Sequence, residues 1–384
     1  MARPTSRRSL RFEGLEDRQL LSSAVPNNEQ QLALSLINLA RTNPQAASQW
    51  MGSVGSDVKR TLDHYNVDVD AVKATVASSR ALPPVAWNPD LAEAAQAHSE
   101  DMAANKYQSH TGSDGSSPED RMKRAGFNGS ATAENAYAYA KSVDNATQAF
   151  MYDWGVADAG HRRNLIQPGV APEASFTDVG VGVTKTTGKI GPVVVTQNFG
   201  RDASTAPKVV GVVYHDNDGD DFYTPGEGKG GVAIDATNVE TGQTASTRSW
   251  ESGGYQIPLS AGRYKVTASE NDVVIKEVEV TVSNLNVAQD FVTSKPWDGR
   301  LRTAMNAANQ VKASTTAAAQ PVSLSADVKR SEPVVKTNAP VVVKESTKPA
   351  SPPKMAVFTP ADWKGPDVAA SALAAWSTWK AKSV

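Results

Sequence analysis

Two periodicities divide this chain, and the change between them limits its folds more than any single residue does. From Pro26 to Leu165 apolar residues recur mainly at helical spacing, and from Phe176 to Thr293 they mainly alternate. In LPPVAWNPDLAEAAQAHSEDMAANKY, an extended lead-in and a turn at Asn88-Pro89 precede a long helix. Leu91, Ala95, His98 and Met102 fall at i, i+4, i+7 and i+11 of that helix, on one stripe. His98 is therefore read as a buried, hydrogen-bonded core histidine. An earlier helix is capped by Asn27 or Asn28 and carries Glu29 in its first turn. Its apolar face is Leu32, Leu36, Leu39 and Ala40, and it stops near Asn43-Pro44, where proline disfavours continuation. Residues 45–80 read as a more variable helical connection. Ser117, Pro118 and Asp120 open a further helix with a capping-box pattern. VDNATQAFMYDWG reads as one more, and FTDVGVGVTKT with GPVVVTQNFG forms a β-hairpin closing the first domain near Arg201.

At 384 residues the chain has room for two or three domains, each with a core. The formal net charge of -2 gives no bulk attraction to nucleic acid, and no nucleic-acid partner is expected. Zero cysteines exclude disulfides, thiolate zinc sites and cysteine nucleophiles together. No apolar run approaches the roughly 18 residues of a membrane helix, so no transmembrane segment is expected. The arginine-rich start lacks the apolar centre of an ordinary signal peptide. Within it, Leu15, Glu16, Arg18, Leu20, Leu21 and Ser22 follow the pattern Leu-Glu-x-Arg-x-Leu-Leu-Ser. That resembles the N-terminal motif of planctomycete extracellular proteins and implies an export or targeting segment over residues 1–25, outside the fold. An extracellular or cell-surface location follows from the resemblance.

Three polar residues stand out in turns beside helix-like segments: His110 in YQSHTGSDG, Glu134 in TAENAYAY and His161 in DWGVADAGHRRNL. Two neutral imidazoles and a carboxylate suffice for a three-ligand zinc site with an open position. The same trio is able to run acid–base chemistry, with Glu134 as the candidate catalytic base, because histidine titrates near neutral pH. A third reading has the two histidines hydrogen-bonding across a cleft and fixing loop geometry. No Gly-x-Ser-x-Gly elbow and no His-Glu-x-x-His helix is present, so the balance leans away from an enzyme. Arg162 and Arg163 are expected in solvent or paired with acids.

LINLARTNP, the Leu82–Gly112 stretch, DRMKRAGF, AEN, GHRRNL, VGVGV and TQNFG occur in this order. Together they resemble the CAP superfamily in its bacterial SCP-like branch, over about residues 27–202 and within a domain bounded at 26–203. The resemblance implies an α/β fold, an α-β-α sandwich with a surface cleft. In some members that cleft holds two histidines and two glutamates and binds a divalent metal. His110 and His161 match the histidines and Glu134 the first glutamate. This sequence has no match for the second glutamate; Asp153 and Asp158 are the nearest acids.

A linker, Asp202 to Lys208, leads to strands at regular spacing, the mark of an all-β sandwich. Residues 207–294 resemble the Cna B-like or SdrD B-like modules of surface proteins. The sequence places no convincing Lys–Asn isopeptide trio there. Asp216, Asp218 and Asp220 occupy positions 1, 3 and 5 of a loop, with the Phe222 carbonyl at 7 and Glu227 at 12. That spacing suits a calcium ion. Asp221 stands at position 6, where an EF-hand loop has glycine, which implies strain or a weaker site. His215 is read as a bystander. Residues 295–384 are rich in Ala, Ser, Thr, Val, Lys and Pro and read as a disordered tail, with a short helix at DVAASALAAWSTWKAKS.

The expectation is thus an exported modular protein whose cleft binds a small or lipid-like ligand, with zinc or another divalent metal as an option, and whose second domain binds calcium structurally. The alternatives are a metal-dependent hydrolase or peptidase using His110, Glu134 and His161, and an adhesive protein with a vestigial cleft whose partners are other envelope components.

Overall fold

The computed structural model describes residues 25–293. The N-terminal motif and the C-terminal tail lie outside the described residues. Helix α1 (Asn28–Thr42) begins at Asn27, whose side chain accepts from the backbone of Glu29 and Gln30 while Gln30 reaches back to the Asn27 N–H. Such a reciprocal cap is worth about 1 kcal/mol. Asn43 ends α1 and caps α2 (Pro44–Met51). Two further helices, α3 (Ser56–His64) and α4 (Val69–Ala77), fill the stretch whose pattern was too variable to divide from sequence.

The rest of the first domain alternates strands with helices: β1 (Ala86–Trp87), α5 (Pro89–Asn105), α6 (Pro118–Arg124), β2 (Ala131–Ala140), α7 (Val143–Tyr152), α8 (Gly160–Ile166), β3 (Asp178–Lys185) and β4 (Val193–Arg201). The sheet runs β1-β3-β4-β2, with β1 parallel to β3 and the other pairs antiparallel. Val179 and Val181 of β3, with Val195 and Phe199 of β4, share a core with Leu36 and Ile37 of α1, Phe150 of α7 and Leu165 of α8. On the other face Gly180 and Gly182 let α5 approach the sheet: a Cβ on Gly180 would come within 2.0 Å of the Ala92 backbone nitrogen, and one on Gly182 within 2.2 Å of the Ala95 carbonyl oxygen. The VGVGV pattern is thus a strand with one packed face and one face planed flat for a helix. Helices lie on both faces of a mixed sheet.

From Lys208 onward the described chain is built of strands. β5 (Lys208–Tyr214) pairs with β8 (Gly254–Pro258) on one side and with the short parallel strands β11 (Val287–Ala288) and β12 (Phe291–Val292) on the other. A second sheet, ordered β10-β9-β6-β7, contains β6 (Ala233–Asn238), β7 (Thr244–Arg248), β9 (Gly262–Glu270) and β10 (Val273–Val282). Val209, Val213, Tyr255, Ile257 and Phe291 of the first sheet share a core with Ile234, Val266, Ala268, Val278 and Val280 of the second. Alternating burial along β6 and β10 follows from that one packed face.

Among the described residues, no helix is long and apolar enough to cross a membrane.

Candidate functional site

The site of the first domain straddles β2, which is an edge strand of its sheet. Glu134 projects from β2, opposite Asn198 in the pairing with β4. His110 reaches it from the loop after α5, and Arg121 from α6. His110 Nδ1 lies 2.9 Å from Glu134 Oε1, and Arg121 donates to Oε2 at 2.7 Å. The carboxylate side chain is 2% exposed. His98, fully buried on α5, places Nε2 at 2.8 Å from the Ser109 carbonyl and 3.8 Å from Glu134 Oε1. Burial, first of all, lowers the His98 pKa. Burial alone would raise the Glu134 carboxyl, but the His110 hydrogen bond and the neighbouring charges of His98, His110 and Arg121 outweigh it. They hold Glu134 below its ordinary value.

Local sequence explains this placement. Lys106 ends α5 in a left-handed conformation at φ +57 and turns the chain into the His110 loop. Asp101 then ties that loop down: its carboxylate accepts from Tyr107 Oη, from Ser113 through both backbone and hydroxyl, and from Asn105. These bonds overcome partial desolvation and hold the Asp101 carboxyl at about 2. Ser117 and Asp120 cap α6 reciprocally and Pro118 opens it. Arg121 follows one turn later, donating to the Ser116 and His110 carbonyls as well as to Glu134.

His161 comes from the opposite side of β2. Its Nδ1 lies 2.6 Å from Asp153 Oδ1, while Asp153 Oδ2 accepts the Arg162 N–H at 2.9 Å. Asp153 therefore orients the ring and also caps α8, whose own N-cap residue, Ala159, offers no side-chain acceptor. Asp153 and Ala159 both adopt positive φ, at +56 and +53. Each such non-glycine residue costs about 1–2 kcal/mol, offset here by the cap and the hydrogen bond to His161. The His110 and His161 rings stand 6.4 Å apart, and Phe150 lies 5.3 Å from His161. Beneath them Asn164 donates to the Glu134 carbonyl and to Asn135 Oδ1, and Asn135 donates to the His161 carbonyl and to Gln197. This amide chain covers the β2 edge and joins the two halves of the site.

In each ring Nδ1 faces a carboxylate, so a ligand or metal engaging the ring would do so at Nε2. Carboxylates behind histidines are the usual supports of histidine metal ligands. Glu134 belongs to that supporting layer. Among the described residues, His110, Glu134 and His161 do not gather three donor atoms within 4.8 Å of one another. Asp158 is exposed and faces Arg163 at 4.0 Å, and Arg162 donates to the Met151 and Tyr152 carbonyls at the end of α7. Sequence reading missed Arg121, whose signal was a basic residue on the inner face of a short capped helix, and it left His98 outside the site.

Residues 34–199 match the family described as CAP, the cysteine-rich secretory protein family. This stretch is a CAP domain. The chain departs from the family's description in having no cysteine. Among solved structures, an extracellular protein containing a SCP domain from Bacillus anthracis str. Ames is 28% identical. That match covers 38% of this chain and 40% of the other, at a TM-score of 0.26. An outer surface protein from Borrelia burgdorferi is 17% identical over 37% of this chain and 93% of its own, also at 0.26. The chain therefore spans less than half the length of the first. No curated protein matches it.

A second polar cluster lies outside the CAP domain, in the loop between β5 and β6. Asp216, Asp218 and Glu227 each offer a carboxylate oxygen within 4.8 Å of the others, with Asp216 and Glu227 buried. Asp220 lies outside that group and accepts the Phe222 N–H at 2.8 Å. Burial raises its carboxyl, as do the charges of Asp218, Asp216 and Glu227, while the Phe222 bond lowers it. Glu227 accepts N–H groups from Asn217 and Thr224, one on each oxygen, and so closes the loop. Asp221 takes φ +61, the left-handed turn that glycine would adopt without cost. His215 lies 3.4 Å from the Thr293 hydroxyl.

Proposed function

We propose that this chain is an exported, non-enzymatic protein whose CAP cleft binds a small or lipid-like ligand at the His110–His161 pair, and whose second domain holds calcium structurally. The observation that carries the reading is the engagement of Glu134. Both of its oxygens are taken, its charge is matched by Arg121, and its pKa lies below the ordinary carboxyl value. A general base needs a pKa near the working pH and an oxygen open to substrate. Glu134 has neither, which favours binding over turnover.

The two rings fit a divalent metal such as zinc as a two-histidine site completed by the bound ligand or solvent, because each ring is oriented from behind at Nδ1. Such a metal would act as a Lewis acid toward the ligand. The protein's own part is to fix the rings through Glu134 and Asp153. In the second domain, the Asp216, Asp218 and Glu227 carboxylates suit calcium, which favours clustered oxygen donors. Export rests on the N-terminal motif, in keeping with the family's description as secretory.

The test is a zinc titration of the full chain by calorimetry, in millimolar calcium, beside a His110→Ala/His161→Ala variant. Saturable binding that the variant loses is the expected result. Binding unchanged by the substitutions would remove metal from the cleft and leave the organic ligand, sought by extraction of lipid from the purified protein. Peptide or ester turnover lost in Glu134→Ala would overturn the non-enzymatic reading in favour of a hydrolase.

A further inference from the structure

Opposite the site, the CAP sheet ends at β1, and the second domain sits against that end. Gln256 of β8 donates to the Trp87 carbonyl on β1 at 3.2 Å. Asn286 donates to the Pro84 carbonyl just before β1 and to the Thr177 carbonyl just before β3, at 3.1 and 2.9 Å, while its own oxygen accepts the Lys208 N–H. One buried amide thus ties together the lead-in to β1, the lead-in to β3 and the first residue of β5. Lys208 pairs with Asp178 of β3 at 3.4 Å, with side-chain exposures of 15% and 2%.

Apolar contact continues the seam. Val212, Tyr214 and Tyr223 belong to the same buried cluster as Leu32, Leu36 and Trp87, and Trp250 and Val292 pack against it. The Tyr223 hydroxyl lies 3.4 Å from Asn28 at the start of α1. Gly254 of β8 permits the approach of α1: a Cβ there would fall 1.9 Å from Gln31 Oε1. A buried amide, an ion pair to a buried carboxylate and a shared core describe a permanent interface rather than two beads on a string, since mobile domains meet through wetter, more polar surfaces.

We infer that the second domain is a built-in cap on the β1 side of the CAP domain, held by its own interface, Lys208 included, and not by chain continuity through Thr205 and Ala206. It fixes the CAP cleft in one orientation relative to Thr293, where the described chain ends. This is independent of any metal in either domain.

The experiment is to insert a specific protease site between Thr205 and Ala206 of the full chain and to cleave it in EDTA, so that the calcium reading does not enter. The cut protein is expected to elute from a sizing column as one species and to melt in a single transition. Separation of the two pieces, or two independent transitions, would overturn the inference. Asn286→Ala/Gln256→Ala in the same protein is expected to fold before cleavage, with an unchanged circular-dichroism spectrum, and to come apart after it. If the doubly substituted pieces hold together as tightly as the unsubstituted ones, these amides do not form the clasp and the inference fails.

Discussion

Replacing Glu134 by glutamine would test whether this residue is a structural anion. The amide keeps the shape and one acceptor, so His110 Nδ1 retains a partner. The new nitrogen must then face the Arg121 nitrogen that now lies 2.7 Å from Oε2, donor against donor. Arg121, 8% exposed, is left with only the Ser116 and His110 carbonyls. Breaking one side of a buried pair in this way costs about 3 kcal/mol, at the low end of what such removals produce. Spread over a cooperative unit of about 270 residues, whose unfolding entropy is roughly 0.6 kcal/mol/K, that loss lowers the melting temperature by about 5 °C. The assay is urea unfolding at neutral pH followed by tryptophan fluorescence, with the slope against urea unchanged. Adding Arg121→Met to the glutamine variant removes the orphaned charge. The second substitution should therefore cost about 2 kcal/mol less than Arg121→Met does alone. Additive costs, or a loss below about 1 kcal/mol for Glu134→Gln, would refute the reasoning.

Asp153→Asn leaves one acceptor oxygen where the His161 ring and the Arg162 N–H at the start of α8 now use two; zinc affinity by calorimetry should fall about 10- to 100-fold. Calcium at about 100 times its dissociation constant should stabilise the chain by about 2.7 kcal/mol in thermal melts. Glu227→Gln should abolish that gain. Gly180→Ala drives a methyl group into the α5 backbone and should cost about 3 kcal/mol or more by urea unfolding. Acid should loosen the His110 loop. The folded Asp101 carboxyl lies at about 2, below its ordinary 3.8, so its contribution is complete above pH 3.8 and is lost as pH falls toward 2. Amide exchange at Ser113, whose N–H bonds to Asp101, should accelerate over that window, and an unchanged protection factor would contradict it.

Much of the site was legible because its parts sit in locally distinctive segments. The Ser117–Asp120 capping box, the Asn88 turn and the alternation of VGVGV each declare an element from a few adjacent residues. What joins the segments was not legible. Arg121 matters through an ion pair thirteen residues downstream, and Asp153 through a left-handed turn that brings it back onto His161. The stripe through His98 gave its burial correctly but could not tell that Glu134 lies on the other side. The Asp202–Lys208 stretch has the composition of a linker, yet Lys208 pairs with the buried Asp178 carboxylate. Composition reports how a segment behaves alone, and that pair forms only when two domains meet.

The CAP sheet carries backbone partners at both of its ends. Along β2, the Ala138 N–H binds Gln108, the Ala138 carbonyl accepts from Gly191 and the Glu134 carbonyl accepts from Asn164. Beside β1, Gln256 and Asn286 take the Trp87 and Pro84 carbonyls. Two copies meeting side by side through this sheet would find those groups already bonded. Growth by strand addition, the route from a soluble sheet to an ordered aggregate, is blocked at these positions. Copies brought close together would have to displace these side chains before their sheets could pair at those points.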